Sequence, residues 1–203
     1  MRTGIQSLIW MVMTRHCPRR AGFTLIEVMI SVAIVAILAS IAIPNFINYQ
    51  LRVKTSEART LVGNIVTTQN SFAAEFEGYA NIELGNPSAV PGIGKRNWDR
   101  VACDTNCDRD NLAACGAFDC IGFEPPAPVY FQYYSPGTIS QAGIASEFAV
   151  GAVGDLDGDS RQSSFCFQSS NSGSGFGSIT VPQTACQAGV ESTVLHNCNP
   201  ANF

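Results

Sequence analysis

The sequence predicts an α+β fold: a long, kinked N-terminal helix, half membrane-spanning and half amphipathic, packed on a small, disulfide-bonded antiparallel β-sheet head. Three observations carry that expectation. Residues 28–51 hold no charged side chain, and residues 28–43 are almost wholly apolar, enough for a bilayer-crossing helix. Apolar residues then recur mostly three and four apart at Ala58, Leu61, Val62, Ile65, Val66, Phe72, Ala73 and Phe76, the stripe of one buried helix face. Strand-like runs bounded by Gly, Pro and Ser follow only in the second half of the chain.

The helix is expected over residues 23–77, 55 residues or roughly 80 Å at 1.5 Å per residue. Glu77-Gly78-Tyr79 offers a stop. Pro44 removes one backbone hydrogen bond and is expected to kink the helix where the apolar half meets the amphipathic half. Four segments follow from this: a leader at 1–22, a hydrophobic helix at 23–44, an amphipathic helix at 45–79 and a head at 80–203.

Residues 80–128, rich in Gly, Pro, Asn and Asp, read as irregular. Strands are expected at 129–134, 147–153 and 163–168. The second places Phe148, Val150 and Ala152 on one face, and the third Phe165 and Phe167. The turn-rich stretch 154–161 joins the last two as a hairpin, and 169–178 is a Ser/Gly surface loop with no phosphate-binding pattern. Three or four antiparallel strands against a helix make the α+β head. A C-terminal loop at 186–198 is expected to close over the sheet edge.

Charge is divided along the chain. Residues 1–22 hold Arg2, Arg15, Arg19 and Arg20 and no acid, whereas all 16 acids lie beyond them, giving a formal net charge of −4 for the whole. A basic front end, an apolar run and an acidic remainder read as a targeting segment on an exported chain. Such a charge balance also leaves no dedicated nucleic-acid site in view.

Of the 8 cysteines, Cys17 lies in the leader, and Cys103, Cys107, Cys115, Cys120, Cys166, Cys186 and Cys198 lie in the head. In an exported chain these form a disulfide framework, with one thiol left free or paired between chains. The spacing in the Cys-rich loop 103–120 fits no common zinc motif, so disulfides are expected there rather than a metal centre. Connectivity stays open. Asp155, Asp157 and Asp159 alternate through the 154–161 turn, an oxygen-rich arrangement that calcium favours. Ser160 and Cys166 stand where an EF-hand needs Gly and Glu, however, and an Asp-Gly hairpin turn explains the same residues. No cofactor is expected beyond that candidate calcium loop.

Catalytic groups are sparse. The histidines are His16, in the leader, and His196, and neither H-E-x-x-H nor G-x-S-x-G occurs. No enzyme is expected.

Glu27 is the most informative residue. An ionised acid within a hydrophobic helix costs on the order of 2.5–3.5 kcal/mol and calls for a partner. The run itself supplies no cation. A cut after Gly22 would create an α-amine at Phe23, one turn away, and the helix N-terminus itself favours an acid. Gly22-Phe23-Thr24-Leu25-Ile26-Glu27 followed by the apolar run resembles the signature of type IV pilins and their pseudopilin relatives. The likeness extends to about Tyr79, and Asn45-Phe46-Ile47, Ser56-Glu57-Ala58 and Ser71-Phe72 look particularly like major pilins of gliding bacteria. The leader is longer than is common in the family, which leaves Met11 and Met13 as alternative starts, and Ala36 stands where many relatives carry Gly.

The resemblance implies cleavage between Gly22 and Phe23 by a prepilin peptidase, N-methylation of Phe23, docking guided by Glu27, and a helix bend at Pro44. It implies a homopolymer built at an inner-membrane assembly platform with a separate ATPase, passing an outer-membrane secretin. The precursor is expected in the inner membrane and the product in an extracellular pilus serving twitching motility, adhesion or DNA uptake. The alternative within the family is a type II secretion pseudopilin or a minor pilin that primes assembly. A membrane-anchored enzyme or binding domain is the alternative outside it.

Overall fold

The computed structural model describes residues 22–137, 147–169 and 196–197. The leader up to residue 21, the loop 170–178, Cys186 and Cys198 lie outside the described residues. One α-helix, α1, runs Leu25–Phe76 with Pro44 inside it. The chain divides into two compact units, Met1–Pro44 and Asn45–Phe203.

In the first unit, the part of α1 up to Pro44 is apolar on all sides and exposed almost throughout. It is long and apolar enough to cross a membrane. Its two hydroxyl side chains are satisfied within the helix: Ser31 donates to the Glu27 carbonyl and Ser40 to that of Ile37. No polar side chain on residues 28–43 therefore needs a partner outside the helix, which suits a segment surrounded by lipid or by like helices.

In the second unit, α1 buries Leu51, Thr55, Ala58, Leu61, Val62, Ile65, Gln69 and Phe72, the expected stripe with two polar additions. Val66 and Phe76 are partly buried against the same core, and Phe72 and Phe76 stack with ring centroids 4.2 Å apart. The helix face meets an antiparallel sheet of β1 (Ile82–Asn86), β2 (Gln132–Ser135), β3 (Ala149–Gly154) and β4 (Ser163–Gln168), in that spatial order. The two-residue β5 (His196–Asn197) pairs with β4, so part of the C-terminal segment does add to a sheet edge.

The expected hairpin is present, with β3 and β4 in register from Ala149↔Gln168 to Gly154↔Ser163. Phe148, Val150, Ala152 and Phe165 enter the main core with Phe131 and Tyr133, and Phe167 packs partly buried against it. The opposite face is buried too, where Tyr134, Ala149 and Val153 cluster with Val90. Gly154 sits where a side chain would not fit, since a Cβ there would lie 2.7 Å from the Tyr130 carbonyl oxygen.

Two strand assignments change. The region 80–128 is not wholly irregular: β1 lies within it, as the strand at one end of the sheet order. The strand expected at 129–134 begins at Gln132 instead, because Val129 pairs with Arg96 in an isolated bridge. Pro125, Pro126 and Pro128 just upstream lack the N–H groups that would extend the ladder.

Three polar clamps hold helix and sheet together. Gln69, fully buried, donates to the Ala80 carbonyl (3.0 Å) and Ser135 Oγ (2.7 Å), and its Oε1 accepts from the Ala80 N–H (3.1 Å). Glu57 Oε1 accepts from the Tyr130 N–H at 2.6 Å while Oε2 pairs with Lys95 at 3.2 Å. Lys54 donates to the carbonyls of Ile93 and Leu156, and the ammonium groups of Lys54 and Lys95 lie 5.1 and 4.8 Å from the Tyr130 ring centre.

Candidate functional site

The start of α1 gathers the residues that the sequence singles out. Gly22 and Phe23 precede the helix and are exposed, Phe23 at 78%. Thr24 stands at the N-cap position, and its hydroxyl oxygen accepts from the Glu27 N–H at 3.3 Å. This cap satisfies one of the four N–H groups that a helix start leaves open. Glu27 is the acid of the first turn, where the helix dipole favours a negative charge. The arrangement therefore presents three things together: an exposed Gly22–Phe23 junction ahead of the helix, a cap that fixes where the helix begins, and a carboxylate in its first turn. Thr24 escaped the reading of the sequence, although its signal is there: Thr24-Leu25-Ile26-Glu27 has the S/T-x-x-E spacing of a capping box.

The other candidate residues lie in the second unit and form separate groups. Cys103 is bonded to Cys120 and Cys107 to Cys115, one loop nested within the other. Cys166 is also disulfide-bonded. Metal ligation by the Cys-rich loop is thereby replaced by covalent cross-links that hold a segment with only two short 3₁₀ turns, Leu112–Ala114 and Phe118–Ile121.

Asp155, Asp157 and Asp159 do converge, with one carboxylate oxygen of each within 4.8 Å of the others. Their oxygens already organise the turn. Asp155 accepts from the Gly158 and Ser160 N–H groups, Asp157 from the Asp159 N–H, and Asp159 from the Arg161 N–H. Gly158 has φ +79°, the left-handed conformation that favours glycine in such a turn.

Asp99 and Tyr133 have perturbed acidity for structural reasons. The Ser88 N–H donates to Asp99 Oδ2 at 2.6 Å, and hydrogen bonds from Ser88 hold the Asp99 carboxyl below its ordinary range. Burial, and secondarily the Glu57 charge, push the Tyr133 phenol far above its ordinary value.

Comparison with known proteins bears on the helix start. Residues 17–43 match the family model of the prokaryotic N-terminal methylation motif. The chain is 46% identical over 106 residues to the type IV major pilin protein PilA of Myxococcus xanthus, covering 51% of this chain and 47% of that relative. It is 51% identical over 72 residues to a fimbrial protein of Moraxella nonliquefaciens, covering 36% of this chain and 45% of the relative. It is 52% identical over 46 residues to the type IV major fimbrial protein FimA of Dichelobacter nodosus, covering 23% and 30%. The chain thus spans less than half the length of these relatives. No solved structure matches. By motif and by similarity, the chain resembles type IV pilins and fimbrial proteins.

Proposed function

We propose that this chain is the repeating structural subunit of a type IV pilus, cut between Gly22 and Phe23 by a prepilin peptidase, N-methylated at Phe23 and polymerised through its N-terminal helix. The observation that carries the reading is the coincidence, within the matched motif, of an exposed Gly22–Phe23 junction, the Thr24 cap and Glu27 in the first turn of a helix that carries no other charge up to Leu51.

The physical sequence follows from these parts. Before assembly the apolar helix resides in the inner membrane, with the basic leader on the cytoplasmic side. Cleavage frees the Phe23 amine, a cation one helical turn from a carboxylate that is otherwise unmatched in lipid. Glu27 of an incoming subunit pairs with the amine of a neighbour and so sets its depth and register. Apolar helices packed on one another then replace lipid as each other's surroundings. The protein does no catalysis itself, and a separate ATPase at an inner-membrane platform supplies the work. A secretin passes the filament to the cell surface, where it serves twitching motility, adhesion or DNA uptake. The disulfide-held head faces the oxidising exterior, and its 154–161 turn is held together by the Asp155 carboxylate, which accepts from the Gly158 and Ser160 N–H groups.

The test is Glu27→Ala in the producing cell. Processing to a Phe23 terminus is expected to continue while sheared filaments fall to background. Wild-type piliation in that variant would refute the pairing role.

A further inference from the structure

The sulfurs of Cys103, Cys107 and Cys120 lie within 4.8 Å of one another, although they belong to two different disulfides. All three residues are half-buried, whereas Cys115, the partner of Cys107, is fully buried in the core. Cys107 therefore sits beside both sulfurs of the Cys103–Cys120 bond. Thiol–disulfide exchange needs only a thiolate that can reach a disulfide sulfur.

We infer that Cys103, Cys107 and Cys120 form one exchange site whose substrate is an external dithiol, so that reducing one bond re-pairs the other. A dithiol thiolate attacks Cys103 Sγ, forming a mixed disulfide and releasing Cys120 as a thiolate. Cys120 attacks Cys107 Sγ, which forms Cys107–Cys120 and releases Cys115. The second dithiol thiolate closes on the mixed disulfide, leaves as the cyclic disulfide and frees Cys103. Two electrons pass from the dithiol to the protein, and its two protons end on Cys103 and Cys115. Attack at Cys120 gives the mirror result, a Cys103–Cys107 bond. Cys115 ends as a thiol sheltered in the core, where burial disfavours the thiolate needed for the return attack.

The full-length chain in detergent, treated with one equivalent of dithiothreitol, quenched with acid, alkylated and peptide-mapped, tests this. Cys107–Cys120 or Cys103–Cys107 peptides are expected together with alkylated Cys115. Their formation should accelerate about tenfold per pH unit below the thiol range near 8.5. Recovery of only the original two pairings, each lost independently, would overturn the inference. Cys115→Ser gives a reductant-free check: alkylation is expected to divide among Cys103, Cys107 and Cys120, and label on Cys107 alone would count against exchange.

Discussion

Gln69→Leu keeps the approximate volume of a fully buried side chain while deleting all three hydrogen bonds by which α1 grips the Ala80 backbone and Ser135. The two Ala80 backbone groups left dry cost about 2 kcal/mol each and the lost Ser135 bond up to about 1 kcal/mol, about 4–5 kcal/mol in all. Leucine's extra apolar burial returns about 1–2 kcal/mol. The expected net loss is therefore about 2–4 kcal/mol, a large share of the roughly 5–15 kcal/mol that holds a domain folded. Urea unfolding of the processed chain in detergent reads this through Trp98, which packs against Phe118 at 5.1 Å, Phe123 at 5.6 Å and Tyr133 at 6.1 Å. The midpoint should fall with little change in slope. A loss below about 1 kcal/mol would refute the claim that Gln69 is a principal tie between helix and sheet.

Tyr133→Phe should act in the opposite direction. The Tyr133 hydroxyl is buried without a hydrogen-bond partner among the described residues, so its removal is expected to raise stability by about 1 kcal/mol in the same urea assay. Because its folded pKa is raised, Tyr133 withholds ionisation that the unfolded chain gains above about pH 10; wild-type stability should fall there, and the Phe variant should show a shallower alkaline decline. Asp99 is the acid-side counterpart. Its folded pKa is depressed, so its contribution is complete above about pH 4 and disappears as pH falls through the folded value; Asp99→Asn should flatten the acid limb of a melting-temperature profile. Thr24→Val removes the cap on the Glu27 N–H, and a cost of about 1 kcal/mol should speed amide exchange at Glu27 about fivefold in micelles.

The elements that the sequence disclosed are those whose side-chain period survives burial. Ala58, Leu61, Val62, Ile65 and Phe72 mark the helix face, and Phe148, Val150 and Phe165 mark the hairpin, because an apolar stripe must point into the core. Gln69 and Thr55 lie on the same stripe yet escape an apolar count, since nothing in the sequence reveals that Ala80 and Ser135 stand ready to receive the amide. β1 was hidden for a related reason. In Ile82-Glu83-Leu84-Gly85-Asn86 the large apolar Leu84 is 82% exposed while polar Asn86 is buried, bonded through its amide to the Asp99 backbone. Disulfide pairing depends on which cysteines the folded loop brings within reach, and spacing alone leaves that open. At the helix start Glu27 was conspicuous because a lone carboxylate beside a charge-free run is costly, whereas Thr24, equally well placed, looks ordinary until its hydroxyl is seen against the Glu27 N–H.

The central claim, that the chain is cut before Phe23 and polymerised by the helix that begins there, is tested most directly by intact-mass and N-terminal peptide analysis of filaments sheared from the cell surface. The account predicts that the main protein of the filament is this chain, beginning at N-methyl-Phe23, with no copy retaining residues 1–22. A filament lacking the chain, or one built from copies that keep Gly22 and the basic leader, would contradict it.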